Sequence, residues 1–284
     1  MTSSSRNGNR IISGDSRSKA GILMSLRSIY ADIWAFRSHI GIVFGARFQA
    51  AYKGTGMGLI WNYALPLVPL TLYWFLSTIR IFPNFEGVDG STFITFGVSL
   101  WFLLTGCIQV PIDILEGRNA ESMKTEFPMS ASIMSGFAQL LFDTLVRFTF
   151  VFLIIAVNQN WPMWQALFLP LLIAPGLLGL IGIGLILGIL NIAYNDVSRV
   201  TRIFLQYGIF VSGVIFPLAE AGWLAKINTI NPFSIYIDVC RDIFFQGILV
   251  DGVRYFATAF LSIIFFLVAV RVFYVMEYRV RGIS

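Results

Sequence analysis

Six stretches of apolar residues, separated by short polar segments, fill most of the sequence after residue 50. A helix rises about 1.5 Å per residue, so about 20 apolar residues cross the hydrocarbon core of a membrane. Five of the stretches reach that length, whereas residues 203–216 are short for a full crossing. The pattern therefore predicts an all-α integral membrane protein with six transmembrane helices, over about residues 57–81, 92–110, 132–157, 163–193, 203–216 and 255–275.

Residues 22–40 have a different pattern, with apolar residues at helical spacing on one side and Arg27 and Asp32 on the other. A helix with so polar a face does not cross a membrane. We predict an N-terminal amphipathic helix that lies in the membrane interface. The Ser-, Gly- and Arg-rich residues 1–20 before it predict a disordered tail, and residues 21–284 the transmembrane domain.

Composition and charge support this class. The chain is 57% hydrophobic and only 12% charged, which leaves no room for a large soluble domain. With six spans, fifteen of its twenty Lys and Arg residues lie on the side of the two termini. The positive-inside rule therefore predicts that both termini are cytoplasmic. The net charge of +5 follows this topology and gives no reason to expect a nucleic-acid partner.

The sequence has no G-x-x-x-x-G-K-[ST] phosphate loop, and the glycines of residues 54–58 predict a hinge. The single histidine and the two distant cysteines, Cys107 and Cys240, do not have the spacing of a metal site. We therefore expect neither a metal nor a bound cofactor. Asp238 and Asp242 have two interpretations, as salt-bridge partners in a loop or as catalytic carboxylates.

Asp143 and Arg147 are charged residues near the middle of the stretch 132–157. Each would cost about 2.5–3.5 kcal/mol at the centre of a spanning helix. Their four-residue spacing predicts that they neutralise each other as an intramembrane ion pair. The pair is either a polar point on a conduit or a self-satisfied structural feature.

Aromatic residues are abundant in the predicted first and fifth spans. Rings that face a conduit would let sugar rings slide over them, although aromatic residues also pack ordinary bundles. The candidates for lining a conduit are Tyr63, Tyr73, Trp74, Phe204, Tyr207, Phe210 and Phe216.

Several short motifs in fixed order resemble the polysaccharide-export permeases of the ABC-2 type. The opening carries Arg47, Tyr52, Gly58-Leu59, Trp61 and Pro66, and later matches are Asn119, Lys124, Phe127-Pro128, Tyr194, Asp196-Val197, Pro217, Asn231-Pro232, Arg241 and Gly247. Asn195 stands where that family usually has an arginine. The similarity extends over nearly all of the chain after residue 20.

The resemblance implies that two copies pair and that each receives a separate ATP-binding subunit, which binds ATP and magnesium. The chain would then be no enzyme itself. It would be the permease half of an exporter that moves a lipid-linked, O-antigen-like polysaccharide across the bacterial inner membrane, with short re-entrant helices between the fifth and sixth spans. The residues expected to contact the ATP-binding subunit are Arg27, Asp32, Glu116, Arg118, Glu121, Lys124 and Glu126.

Two alternatives remain open from the sequence. The chain could be the permease of an ABC-2 exporter of drugs or small lipids, which would have the same layout. It could also be a membrane enzyme that acts on lipid-linked sugars with Asp238 and Asp242 as its carboxylates.

Overall fold

The computed structural model describes residues 20–50, 60–79, 87–117, 128–215 and 222–283, and these residues are almost entirely helical. A 3₁₀ segment, Trp164–Phe168, and a π-helical turn, Asp242–Gln246, join longer helices. The α-helices, in chain order, are α1 (Ile22–Ala35), α2 (Arg37–Ala50), α3 (Ile60–Thr78), α4 (Gly90–Glu116), α5 (Met129–Asn158), α6 (Leu169–Ala193), α7 (Asp196–Val211), α8 (Trp223–Asn228), α9 (Pro232–Arg241) and α10 (Gly252–Ile283).

Within the described residues, four helical segments are long and apolar enough to cross a membrane: α4, α5, the 3₁₀ segment together with α6, and α10. They correspond to the predicted second, third, fourth and sixth spans, and all except the fourth extend beyond the predicted bounds. Pro111, predicted to follow the end of the second span, instead lies inside α4, which continues to Glu116. The chain is therefore a multi-pass membrane protein.

The predicted first and fifth spans are not confirmed by length and hydropathy. Helix α3 has 19 residues, but Asn62 and two prolines interrupt its apolar sequence, and α7 has only 16 residues. The charged residues 194–202 predict a turn from the sequence, but α7 begins at Asp196, so most of them form its first turns. Short helices do follow α7, as predicted, but their re-entry into a membrane is not confirmed.

Both shorter helices nevertheless lie along long ones. In α3, the rings of Tyr63 and Trp74 make edge contacts with Phe142 and Phe150 of α5. Helix α7 runs antiparallel to α4, because its Arg202 lies at Asp113, near the end of α4, and its Gly208 faces Trp101. Helix α3 therefore lies alongside α5, and α7 alongside α4, over several turns.

The predicted continuous helix over residues 22–40 is interrupted. The backbone of Phe36, at φ −99° and ψ 12°, departs from helical values and separates α1 from α2. Helix α1 is fixed to α10, since Ser25 is buried and the Nε of Arg271 donates to the carbonyl oxygen of Ala20 at 3.1 Å. Some apolar side chains of α1, such as Leu26, pack toward α10. Others lie at the surface, such as Leu23, which is 83% exposed.

Close contact between α4 and α6 depends on the glycines of α6. A Cβ atom at Gly184 would lie 2.6 Å from the carbonyl oxygen of Ile108, and one at Gly188 would lie 2.8 Å from the side chain of Leu115. In the sequence, Gly184 and Gly188 have the four-residue spacing of small residues that predicts close helix approach, and these contacts confirm it.

The helix ends gather in two groups. At one end lie α1, the start of α5 and the last turns of α10, where the Glu277 carboxylate accepts from the backbone N–H of Met129 at 2.8 Å. At the other end, the amide of Asn158 donates to Asp89 at 3.1 Å and to Ser91 at 2.7 Å. The first described residues and the end of α10 thus lie at the same end of the bundle.

Helix α9 lies in the core of the bundle. Its Tyr236 is fully buried and donates to the hydroxyl of Ser262 in α10 at 3.1 Å. The sequence around Cys240 predicts a loop, but this residue is buried in α9 as a free thiol.

Candidate functional site

A cavity of about 620 Å³ lies among α3, α4, α5 and α7. Its walls are mostly apolar and aromatic, with two arginines, one aspartate, two glutamines and one threonine among them. The lining residues are Pro69, Leu72, Tyr73, Trp101, Phe102, Thr105, Gly106, Gln109, Val110, Asp113, Leu140, Arg147, Arg202, Leu205, Gln206 and Ile209.

Arg147 is the buried charge of this cavity. It is only 9% exposed and lies in the middle part of α5. Its Nε donates to the carbonyl oxygen of Pro66 at 3.2 Å, and its Cζ lies 4.7 Å from the centroid of the Phe102 ring. Its Nη1 is buried and has no hydrogen-bond partner among the described residues.

The direct ion pair that the sequence predicted between Asp143 and Arg147 is not formed among the described residues. Asp143, half-buried, accepts a hydrogen bond from the amide of Gln139 at 2.8 Å. Arg147 turns instead toward Pro66 and Phe102 of the neighbouring helices α3 and α4. Four-residue spacing brings the two groups to one face of α5, but long-range contacts determine where the guanidinium points.

The second arginine of the cavity is held by carboxylates. The Nη2 of Arg202 lies 2.9 Å from Asp113 and 2.8 Å from Glu116, and all three side chains are exposed. The hydroxyl of Ser198 donates to Glu116 at 3.3 Å. This cluster joins the start of α7 to the end of α4 at the outer edge of the cavity.

The predicted conduit aromatics are placed in two ways. Tyr73 is half-buried and lines the cavity. The others on α3 and α7 are exposed at the surface of the chain, whereas Phe216 lies outside the described residues. The exposed ones are Tyr63, Trp74, Phe204, Tyr207 and Phe210.

Trp101 and Phe102 line the same cavity, yet the sequence interpretation did not single them out. They lie within an uninterrupted apolar run, where nothing in the local pattern distinguishes a cavity wall from helix packing. The contact between Arg147 and Phe102 appears only when α4 and α5 are placed side by side.

The residues expected to contact an ATP-binding subunit are only partly described. Arg27 is exposed, Asp32 is half-buried, and Glu116 is bound to Arg202. The other four, Arg118, Glu121, Lys124 and Glu126, lie outside the described residues.

Asp238 and Asp242, the candidate catalytic carboxylates, are half-buried at the end of α9. Between them, Arg241 donates to the backbone carbonyls of Gly213 at 2.9 Å and Phe93 at 3.1 Å, and its Cζ lies 3.7 Å from the Phe93 ring centroid. These contacts tie α9 to α4 and to the residues after α7.

Four apolar helical segments of the described residues, each long enough to cross a membrane, with a mostly apolar cavity that contains a buried guanidinium, define a polytopic membrane protein. Residues 38–245 match the protein family described as ABC-2 type transporter. This match extends over most of the chain, and the protein belongs to that family.

A curated relative has a more specific name. The chain is 19% identical over 245 residues to the O-antigen export system permease protein RfbA of Myxococcus xanthus. The alignment covers 85% of this chain and 94% of that protein.

Proposed function

We propose that this protein is the membrane-spanning permease subunit of an ATP-driven exporter that moves a lipid-linked polysaccharide across the bacterial inner membrane. The observation that carries the proposal is the family match over residues 38–245, together with the near full-length similarity to an O-antigen export permease. The motifs quoted from the sequence point to the same branch of the family.

The energy source is a separate ATP-binding subunit, because the sequence has no phosphate-binding loop. Two features at one end of the bundle support a docking site there. Helix α1 is packed against α10, and the charged cluster of Asp113, Glu116 and Arg202 joins two neighbouring helices. With the excess of Lys and Arg on this side, we assign this end and both termini to the cytoplasm.

The conduit forms between two copies of the chain. Helices α3 and α7 flank the same cavity, and each leaves large aromatic side chains exposed. Phe204 of α7 is 79% exposed and Tyr207 is 61% exposed. A second copy that faces these helices would enclose a passage with aromatic walls, in which α3 and α7 complete the six spans and the short helices α8 and α9 re-enter from the outer side.

Purification of the chain from its native membrane tests the proposal. We expect an ATP-binding chain to copurify and its ATPase activity to rise when a lipid-linked glycan is added. Stimulation by drugs or small lipids, with no response to the glycan, would identify the other kind of ABC-2 exporter. Turnover of a lipid-linked sugar by the chain alone, with loss in Asp238→Asn, would contradict the proposal and favour a membrane enzyme.

A further inference from the structure

We propose that Arg147 binds the phosphate group of a membrane amphiphile inside the cavity among α3, α4, α5 and α7. Assigning that phosphate to a lipid-linked glycan rests on the proposed function. Assigning an anion to Arg147 depends only on the contacts of its guanidinium.

The first step is the incomplete bonding of Arg147. Its two structural partners, the carbonyl of Pro66 and the ring of Phe102, carry no formal charge. Within the part of the chain that the structure describes, its Nη1 is buried without a hydrogen-bond partner, and the residue is only 9% exposed. A buried guanidinium with an unmade hydrogen bond is costly, and the cost is larger within a membrane. A bound anion would supply the missing acceptor and a negative charge in direct contact with the guanidinium, which Asp143 does not provide.

The second step is the set of charges around it. Arg202 lines the same cavity but is bound by Asp113 and Glu116. Asp143 lies one turn before Arg147, does not line the cavity, and accepts from Gln139. Among the charged residues that the structure places at this cavity, Arg147 is therefore the cation that contacts no carboxylate.

The third step is the chemistry of the ligand. A guanidinium presents paired N–H donors that match the oxygens of a phosphate. Phosphates are also the common negative groups of membrane amphiphiles. The apolar part of the cavity wall, which includes Leu72, Tyr73 and Leu205, suits the start of a hydrocarbon chain attached to the phosphate. The volume of about 620 Å³ lies within the ordinary range for small-molecule sites.

Native mass spectrometry of the full-length protein in detergent tests the assignment, with farnesyl pyrophosphate as the probe and farnesol as the matched probe without phosphate. We expect farnesyl pyrophosphate to bind the wild-type protein more tightly than farnesol. The Arg147→Gln substitution should weaken pyrophosphate binding about ten- to hundredfold, because a hydrogen bond to a charged group is lost, and should leave farnesol binding unchanged. Arg147→Lys should fall between them, since lysine keeps the charge without the paired donors.

A second variant separates ligand binding from a structural role. The double substitution Asp143→Asn with Arg147→Gln removes both charges, so it leaves no isolated carboxylate in the helix and provides a folded protein if Arg147→Gln alone is unstable. The proposal predicts that this double variant still fails to bind farnesyl pyrophosphate. If Arg147 serves only to balance Asp143, the double variant will bind as tightly as the wild type, and the proposal is overturned.

Phosphatidylglycerol serves as a third probe for the source of the phosphate. If Arg147→Gln weakens phosphatidylglycerol binding as much as it weakens farnesyl pyrophosphate binding, the site is assigned to bulk phospholipid. Dependence for farnesyl pyrophosphate alone would assign it to an isoprenoid-linked cargo. Equal pyrophosphate binding by the wild type and both variants would overturn the anion assignment, whereas ATP-dependent glycan export by the same samples would show that the proposed function stands.

Discussion

A Cβ atom at Gly184 would lie 2.6 Å from the carbonyl oxygen of Ile108, so α4 and α6 are closer there than any larger residue would allow. The cavity depends on this contact indirectly, because α4 carries Trp101 and Phe102 into its wall. The packing of α4 against α6 thus fixes the position of the helix that faces Arg147.

Gly184→Ala should destabilise the protein, because the added methyl group meets backbone rather than a movable side chain. Overpacking of this kind costs about 1–3 kcal/mol. We expect a lower melting temperature in detergent by fluorescence-detected size-exclusion chromatography. Gly41→Ala is the matched control, since a Cβ there would have no neighbour within 4 Å, and it should melt no lower than the wild type. Equal melting of both variants would show that α4 and α6 can move apart freely.

Arg241→Met should also lower stability, for a different reason. It removes the donors to the carbonyls of Gly213 and Phe93, which would remain buried without that partner. Losing hydrogen bonds from a charged group costs about 1.5–3 kcal/mol each. Arg199→Met is the control, because the Arg199 side chain is 77% exposed and its pair with Asp196 is a surface contact worth little. If Arg241→Met keeps the wild-type melting temperature, the hydrogen bonds of Arg241 do not stabilise the fold.

Asn158→Leu should loosen the end of the bundle opposite α1. The Asn158 amide donates to Asp89, Ser91 and the hydroxyl of Thr92, and a leucine of similar size can replace none of these bonds. We expect faster hydrogen exchange at the start of α4, measured by mass spectrometry. Thr149→Val is the control, because Thr149 is exposed and its hydroxyl donates within its own helix, to the carbonyl of Leu145. Unchanged exchange at residues 90–95 in Asn158→Leu would be the contrary result.

The double substitution Phe204→Ala with Tyr207→Ala should reduce glycan export at least severalfold while the melting temperature remains unchanged. Both rings are exposed, so their removal leaves little cavity in the chain itself. The control is Phe256→Ala with Phe260→Ala on α10, whose rings are 64% and 66% exposed. Export is measured as glycan that becomes accessible at the outer face of the membrane. Equal export by the two double variants would place the conduit elsewhere.

Local patterns in the sequence were sufficient for much of the fold. Runs of apolar residues predicted the four long helices, and the spacing of Gly184 and Gly188 predicted close packing. Pro111 misled the prediction, because a proline inside a spanning helix is tolerated when neighbouring helices pack against the turn before it. Here Gly184 of α6 lies against the carbonyls of Cys107 and Ile108.

The site was less predictable. The sequence singled out Arg147 because a charge in an apolar run is rare, but it did not predict which groups the guanidinium contacts. The partner that Arg147 does reach, the carbonyl of Pro66, is 81 residues away in sequence. No periodicity within α5 carries that information, and the same is true of Trp101 and Phe102 in the cavity wall.

Reconstitution into proteoliposomes tests the central claim most directly. The purified chain, with and without its copurifying ATP-binding subunit, is supplied with a lipid-linked glycan in the outer leaflet, and transfer to the lumen is followed by protection from an added glycosidase. We predict that protection requires ATP, the ATP-binding subunit and this chain together. Protection that develops with this chain alone, or without ATP, would contradict the account.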